Sequence, residues 1–484
     1  MAVIRVNEKL DLELLNSLGY PSEYSEDGTL IEINPNRPDL LSKVSIKRLI
    51  SLYNSPRYIE YKSEPLQIEF IKEEVPQRNY IEIAIAKIDN LDLEDIIQFQ
   101  EKLHETFGRK RKRVAIGFHD LSKIVPPIRY TQSDNMRFVP LESVEMSLDE
   151  VLEKTEKGRE YKHLVSSPYP VLLDKLGVIS MPPIINSERT KLTSDTKEIF
   201  IDVTGNNPYY TKKTLDIILS YFIDAGGSVQ TLSDLKPIEM KIDIQNIYNL
   251  LGEKVDPNLL LKSGILVKGD KVIIPPYRVD IMDETDIAEE LAIYHGYSNF
   301  VPEYPEIYQE SKIIEIPFRE ELLRLGFSEI VGWYLGNNKV YENFYPTQKL
   351  SNALTEEFNS MRPLIEPSLL QFYEKNKMSK LPYKIFEIGH VYRDEKEYIE
   401  IGFLISKKEI FVEDFLQVFS TLADLNNLKL EFTNKDYPFY AKNYSFAGKI
   451  GNFSFRAGVI KPEILSVYNL IYPVATGVIV LKTL

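Results

Sequence analysis

Four carboxylates make up the densest chemistry in this sequence. The segment Pro276–Tyr297 places Asp280 in a turn and then Asp286, Glu289 and Glu290 at i, i+3 and i+4. That spacing sets the last three on one edge of a helix's first turns. Acids so close repel one another unless a cation sits among them. Mg²⁺, a hard ion that takes oxygen ligands and keeps part of its water, suits such a set. Acids at a helix start also complement the macrodipole with no ion present, so spacing alone leaves both readings open.

A second candidate is the run Arg109-Lys110-Arg111-Lys112-Arg113, the most basic in the chain. It suits contact with a phosphate backbone, as in RNA, and it equally suits a solvated loop. His104, His163 and His390 stand apart with no metal-ligand spacing. The sequence contains no cysteine, which excludes disulfides, zinc–thiolate sites and cysteine nucleophiles and agrees with a reducing compartment.

These groups need a scaffold, and 484 residues predict several domains at roughly 100–200 residues each. A composition of 43% hydrophobic and 27% charged residues is that of a globular protein, not a disordered one. The net charge of −14 argues against a general nucleic-acid coat protein, while permitting a local basic patch or a partner that brings one. Apolar runs such as Val474 to Leu481 are too short to span a bilayer, and the first ten residues lack the apolar core of a signal peptide. No membrane association and a cytoplasmic location are therefore expected.

Residues 1–75 read as a small N-terminal domain. Ile31 and Ile33 alternate with Leu30, Glu32 and Asn34 in a short strand. The prolines of Asn34-Pro35-Asn36-Arg37-Pro38-Asp39 then impose a rigid turn, and Asp39 or Ser42 caps a helix carrying Val44, Leu49, Ile50 and Tyr53. Residues 76–235 alternate strands and helices. Strands are expected over 80–86, 114–117 and 198–205, and helices over 91–107, 148–156 and 215–225. Residues 236–305 form a β/α unit with a hairpin across Gly269-Asp270 ahead of the acidic helix. Residues 306–484 open with a helix over 316–325 and continue in strands over 329–335, 383–392, 400–405 and 448–457.

Several segments together are similar to one family. Asn36-Arg37-Pro38-Asp39-Leu40-Leu41-Ser42, Val114-Ala115-Ile116-Gly117-Phe118-His119-Asp120-Leu121, Pro182-Pro183-Ile184-Ile185-Asn186-Ser187 and Phe200-Ile201-Asp202-Val203-Thr204-Gly205 occur in the order of its motifs. Pro276-Tyr277-Arg278-Val279-Asp280-Ile281 through Tyr294-His295-Gly296-Tyr297 follows, then Asn352-Ala353-Leu354-Thr355-Glu356-Glu357, Met361-Arg362 and Phe386-Glu387-Ile388-Gly389. The chain resembles the β subunit of phenylalanyl-tRNA synthetase in its archaeal and eukaryotic-cytosolic form. Two departures stand out. Ser45-Ile46-Lys47-Arg48 replaces the usual Gly-Ile-Ala-Arg, and Phe118 stands where a small polar residue is usual. The chain shows no counterpart of the OB-fold insertion or anticodon-binding extension of bacterial β subunits, in keeping with the archaeal or eukaryotic type.

The resemblance implies an α+β multidomain chain. Its parts would be a small N-terminal domain (1–75), an α/β editing domain of B3/B4 type (76–235), a winged, DNA-binding-like B5 domain (236–305) and a degenerate class II synthetase core with an antiparallel sheet (306–484). It implies Mg²⁺ ligands at Asp280, Asp286, Glu289 and Glu290. It also implies an editing pocket with Asn186, Ser187, Asp202 and Thr204, and with His119 positioning water. Tyr392-Arg393-Asp394-Glu395 resembles the second class II motif, whose arginine meets the ATP α-phosphate. Only Phe455-Arg456-Ala457-Gly458 stands for the later glycine-rich strand, so this core is expected to be catalytically silent. The expected assembly is an (αβ)₂ heterotetramer with the α subunit. That partner would use ATP to charge tRNA(Phe) with phenylalanine, while this chain hydrolyses mischarged Tyr-tRNA(Phe). A stand-alone trans-editing hydrolase and a non-catalytic tRNA-binding scaffold are the alternatives.

Overall fold

The period-two alternation of Tyr80–Lys87 and Glu198–Gly205 resolves into the centre of a five-stranded sheet in the computed structural model, which describes residues 2–303 and 316–483. Strand order is Glu64–Pro65, Ser228–Thr231, Tyr80–Lys87, Glu198–Gly205 and Val114–Asp120, which leaves Val114–Asp120 at an edge. Successive side chains alternate faces. Ile199, Ile201 and Val203 pack on the helices Leu93–Glu105 and Pro208–Asp224. Phe200, with Ile83 and Ile85, packs instead on Ile128, Tyr130, Leu172 and Ile179 of a second five-stranded sheet. The helix Pro208–Asp224 starts where Asn207 accepts from the N–H groups of Tyr209 and Tyr210, with Pro208 in the first turn. Every residue from Thr214 to Phe222 is buried, which explains its nearly uniform apolar sequence.

In the N-terminal part, Ala2–Val6, Gly28–Ile33 and Ser22–Ser25 form a three-stranded sheet with Ile31 and Ile33 inward. Ser42, not Asp39, caps the helix Lys43–Asn54, accepting from Ser45 N–H. Further on, Ile238–Lys241, Lys271–Ile274 and Leu266–Lys268 form a small antiparallel sheet whose hairpin turns at Gly269-Asp270, as expected. Ile247, Leu260, Val272, Ile274, Ile287 and Leu291 close a core between this sheet and the helices Ile244–Leu251 and Glu284–His295.

Contacts divide the chain into two compact units, Met1–Pro305 and Glu306–Leu484. The start expected for the fourth domain falls in 304–315, outside the described residues. The second unit is built on a seven-stranded sheet in the order Ser328–Glu329, Tyr383–Arg393, Lys396–Ser406, Val474–Thr483, Phe453–Ile460, Tyr440–Ile450 and Leu430–Asn434. All its pairs are antiparallel except the first. Phe403 faces the helix Val412–Leu425, whereas Leu404 faces Glu366–Lys375, so the two helices cover opposite faces.

Several elements differ from expectation, among them the helix over 215–225, which starts earlier, at Pro208. The helix over 148–156 is two helices, Leu148–Lys154 and Glu156–Tyr161, because Thr155 leaves the first and caps the second through Gly158 N–H. The strand over 448–457 is a hairpin, Tyr440–Ile450 and Phe453–Ile460, turning at Gly451 with φ +56°. The stretch 329–335 pairs only at its ends, in Ser328–Glu329 and Leu335–Gly336. The helix over 316–325 shortens to Arg319–Arg324. Among the described residues no helix is long and apolar enough to cross a membrane.

Candidate functional site

A sheet edge must satisfy the peptide groups that no further strand pairs. At Val114–Asp120 side chains do this. Ile116 N–H donates to His104 Nε2 at 2.8 Å, Gln100 Nε2 donates to Ile116 O at 2.7 Å, and Asn186 Nδ2 reaches Phe118 O at 3.4 Å. Antiparallel pairing points alternate residues' N–H and C=O to one side, so the Phe118 N–H faces outward with its carbonyl. Along this edge lies a cavity of about 650 Å³, bounded by Glu101, His104, Arg111, Gly117, Ser180, Pro182 to Asn186 and Asp202. A second hollow of about 690 Å³, at Lys241 to Ile244 and Gly269-Asp270, holds none of the candidate residues; its Lys241 and Asp270 pair with each other at 3.7 Å.

Two of the five editing candidates, Asp202 and Asn186, line the cavity. Asp202 is 1% exposed, and its Oδ2 lies 2.9 Å from His119 Nε2. The other ring nitrogen of His119 lies 2.9 Å from Thr190 Oγ1. With Asp202 ionised, His119 donates from Nε2 and accepts the Thr190 hydroxyl at Nδ1. Both nitrogens of this fully buried ring then have partners, Asp202 and Thr190. Asn186 Oδ1 accepts from Ser180 Oγ at 3.0 Å. Thr204 lies deeper: its Oγ1 and carbonyl accept from Arg78 Nε and Nη2 at 2.8 and 2.7 Å. Burial draws the Arg78 guanidinium down to about 10, against the pull of Tyr130 and Asp202. Ser187 caps the short turn Glu188–Thr190 and donates to Val139 O at 3.3 Å. Thr204 and Ser187 therefore shape the walls without lining the cavity.

Sequence reading missed the opposite wall. Arg111, from the basic run, turns inward at φ +62°. Its Nη1 donates to Ile184 O and its Nη2 to Glu101 Oε1, both at 2.8 Å, over the Tyr161 ring at 4.7 Å. Because His104 Nε2 accepts from Ile116 N–H, its proton sits on Nδ1, which faces Glu101 Oε1 at 3.4 Å. Burial lowers His104 to about 4 despite Glu101. Burial works to raise Glu101, yet His104, Arg111 and Lys157 bring it down to about 2. Glu101 and His104 are three apart on one helix face, a spacing that could have flagged them together. Arg109, Lys110 and Lys112 stay exposed.

The acidic segment differs from its expectation. Asp280 accepts from Arg278 Nε and Nη2 at 2.9 and 2.7 Å. Glu290 accepts from Arg278 Nη1 at 2.9 Å and pairs with Nη2 at 2.7 Å. Arg278 is 0% exposed. Burial opposes ionisation of Asp280, but Arg278, helped by Arg37, holds its carboxyl below the ordinary value. Asp286 Oδ2 accepts from Met282 N–H and Asp283 N–H as part of a helix cap, and Glu289 is exposed. The four carboxylates do not converge, and among the described residues no group of three acids or histidines is placed to share an ion. The donor set does not fit a Mg²⁺ site.

In the second unit the two arginines of the class II-like motifs are already neutralised. Arg393 pairs with Glu400 at 2.9 Å under the Tyr398 ring. Arg456 donates to both Glu366 and Glu400 at 2.6–2.8 Å. Burial pushes Glu400 up, yet Arg456 and Arg393 hold it below its ordinary value.

Comparison with known proteins agrees with this order of parts. Residues 73–218 match the B3/4 domain family, 240–297 the tRNA synthetase B5 domain and 305–479 the phenylalanyl tRNA synthetase beta chain CLM domain. The phenylalanine–tRNA ligase beta subunit of Methanocaldococcus jannaschii is 34% identical over 93% of this chain and 92% of its own. That of Saccharolobus solfataricus is 32% identical over 96% and 93%. Among solved structures, an N-terminal fragment of the Pyrococcus horikoshii phenylalanyl-tRNA synthetase beta subunit matches with TM-score 0.55 and 33% identity, covering 58% of this chain and 92% of the fragment. The parts are those of an aminoacyl-tRNA ligase subunit. More narrowly, the chain belongs to the phenylalanine–tRNA ligase β-subunit family.

Proposed function

We propose that this chain works with a phenylalanine–tRNA ligase α subunit, in an (αβ)₂ assembly in the cytoplasm, and hydrolyses Tyr-tRNA(Phe) in the cavity beside Val114–Asp120. ATP and its accompanying Mg²⁺ serve the charging reaction on the α subunit. The four domains at 1–75, 76–235, 236–305 and 306–484 would divide the work into docking, proofreading, a B5 module and a silent class II core that assembles with α. Arginines already saturated by Glu366 and Glu400 support that silence.

The observation that carries the editing reading is a buried carboxylate, Asp202, held at the cavity wall by His119. A tyrosyl hydroxyl donates to it. A phenylalanyl ring leaves it unmatched, and a site built around such a bond discriminates strongly against the analogue lacking the hydroxyl. Hydrolysis adds water to the ester carbonyl, breaks the bond to the ribose oxygen and passes a proton to that oxygen. The Asn186 amide and the outward Phe118 N–H supply donors for the developing oxyanion. His119, Thr190 and Thr204 are positioning residues behind them.

Phe118, standing where the family usually has a small polar residue, is the feature that favours the scaffold alternative. Its ring packs on Phe222, centroids 6.3 Å apart, within the helix-facing core, and residue 118 also borders the cavity. The test is deacylation of Tyr-tRNA(Phe) by this chain with and without the α subunit. No hydrolysis in either case removes the editing reading; full activity without α favours the trans-acting hydrolase.

A further inference from the structure

We infer that the cation held by the acidic segment is the guanidinium of Arg278 and not Mg²⁺, and that the sequence signatures at 36–42 and 276–280 are two sides of one buried ionic clamp. Asp280 and Glu290, the two acids of the segment that come together, need a positive partner, and the chain supplies it two residues before the first of them. Arg278 uses all three guanidinium nitrogens on Asp280 and Glu290. Both oxygens of each carboxylate are then occupied. An ion there would have to displace a fully buried guanidinium, which would lose both of its partners.

The adjoining residue carries the clamp onward. The Tyr277 ring lies 3.7 Å from the guanidinium of Arg48 and 5.4 Å from the ring of Tyr61. Arg48 donates to Asp39 at 2.6 Å and to Asp224 at 2.7 Å. Asp39 also accepts two bonds from Arg37, at 2.9 and 3.0 Å, and Arg37 donates to Tyr20 OH. Tyr61 OH donates to Asp224 at 2.8 Å. Three guanidiniums thus face four carboxylates drawn from three stretches of the first unit. Each member is paired, the condition under which buried charge is tolerated.

The test is metal binding by the full-length chain, stripped with EDTA and free of ATP, both alone and purified with the α subunit. Mn²⁺ titration followed by electron paramagnetic resonance, and Mg²⁺ titration by calorimetry, should give the same isotherm for the parent chain and for Asp286→Asn/Glu289→Gln. The thermal midpoint of the parent should be equal in EDTA and in Mg²⁺. A one-to-one site that disappears in the double variant overturns the inference, as does a midpoint that falls in EDTA. Arg278→Met should lower the midpoint through two orphaned carboxylates; a variant as stable as the parent also overturns it.

Discussion

Gly117 and Asp202 are partners across paired strands, and a side chain at 117 would fill the space that the Asp202 carboxylate occupies. A Cβ there overlaps Oδ2 and comes within 2.7 Å of His119 Nε2. Glycine is required at this point by the close approach of a carboxylate, with no positive φ involved. Gly117→Ala should displace Asp202 and lower Tyr-tRNA(Phe) deacylation by on the order of 10²-fold, since misplacement near 1 Å costs about that much. Charging with phenylalanine should be unchanged. A variant that deacylates at the parent rate would separate Asp202 from the reaction.

Phe118 tests the same strand from its other face. Phe118→Ala removes a ring from the helix-facing core and should cost about 3–5 kcal/mol of stability in a urea titration. Its rate per folded molecule should stay near the parent level, because what residue 118 gives the proposed reaction is its backbone N–H, which alanine keeps. Selective loss of deacylation with full stability would place the ring in the site.

His104 gives the first unit a pH dependence. Its value falls from 6.5 in the unfolded chain to about 4 in the folded one, so between those limits the unfolded state binds more protons. Stability is full above pH 6.5 and falls as the pH drops toward 4, by about 3 kcal/mol at 1.36 kcal/mol per unit. His104→Gln should flatten that part of the profile relative to the parent. Parallel urea midpoints for the two proteins from pH 7 to 4 would contradict the assignment.

How much of this was legible in the sequence depends on the range of the interaction. Local alternation and turn residues foretold the strands Tyr80–Lys87 and Glu198–Gly205 and the Gly269-Asp270 hairpin, because those features are set by neighbours in the chain. The sequence placed Asp202 and Asn186 in motifs, and the structure puts both on one cavity. It could not show that Arg111, seventy-odd positions from Ile184, bonds that residue's carbonyl, nor that His119 spends both nitrogens on Thr190 and Asp202. The acidic helix misled for the same reason: its cation was a neighbouring arginine whose direction depends on the fold. Gly451 split an expected strand because a periodic pattern continues through a tight hairpin unchanged.

In the second unit, Glu400 is 0% exposed and shared between Arg456 and Arg393. Glu400→Gln leaves two buried guanidiniums short of charge and should cost about 3–5 kcal/mol, read from the denaturation of the full chain. ATP affinity should not appear. A stable variant that binds ATP would show that Glu400 had masked a working nucleotide site.

The central claim, proofreading at Asp202, is tested most directly by the rate of Tyr-tRNA(Phe) hydrolysis by the parent and by Asp202→Ala, each with the α subunit. The account predicts rapid hydrolysis by the parent and its loss in Asp202→Ala, with accumulation of tyrosylated tRNA and unchanged phenylalanine charging. Equal hydrolysis by the two proteins, or loss of charging together with editing, would contradict it.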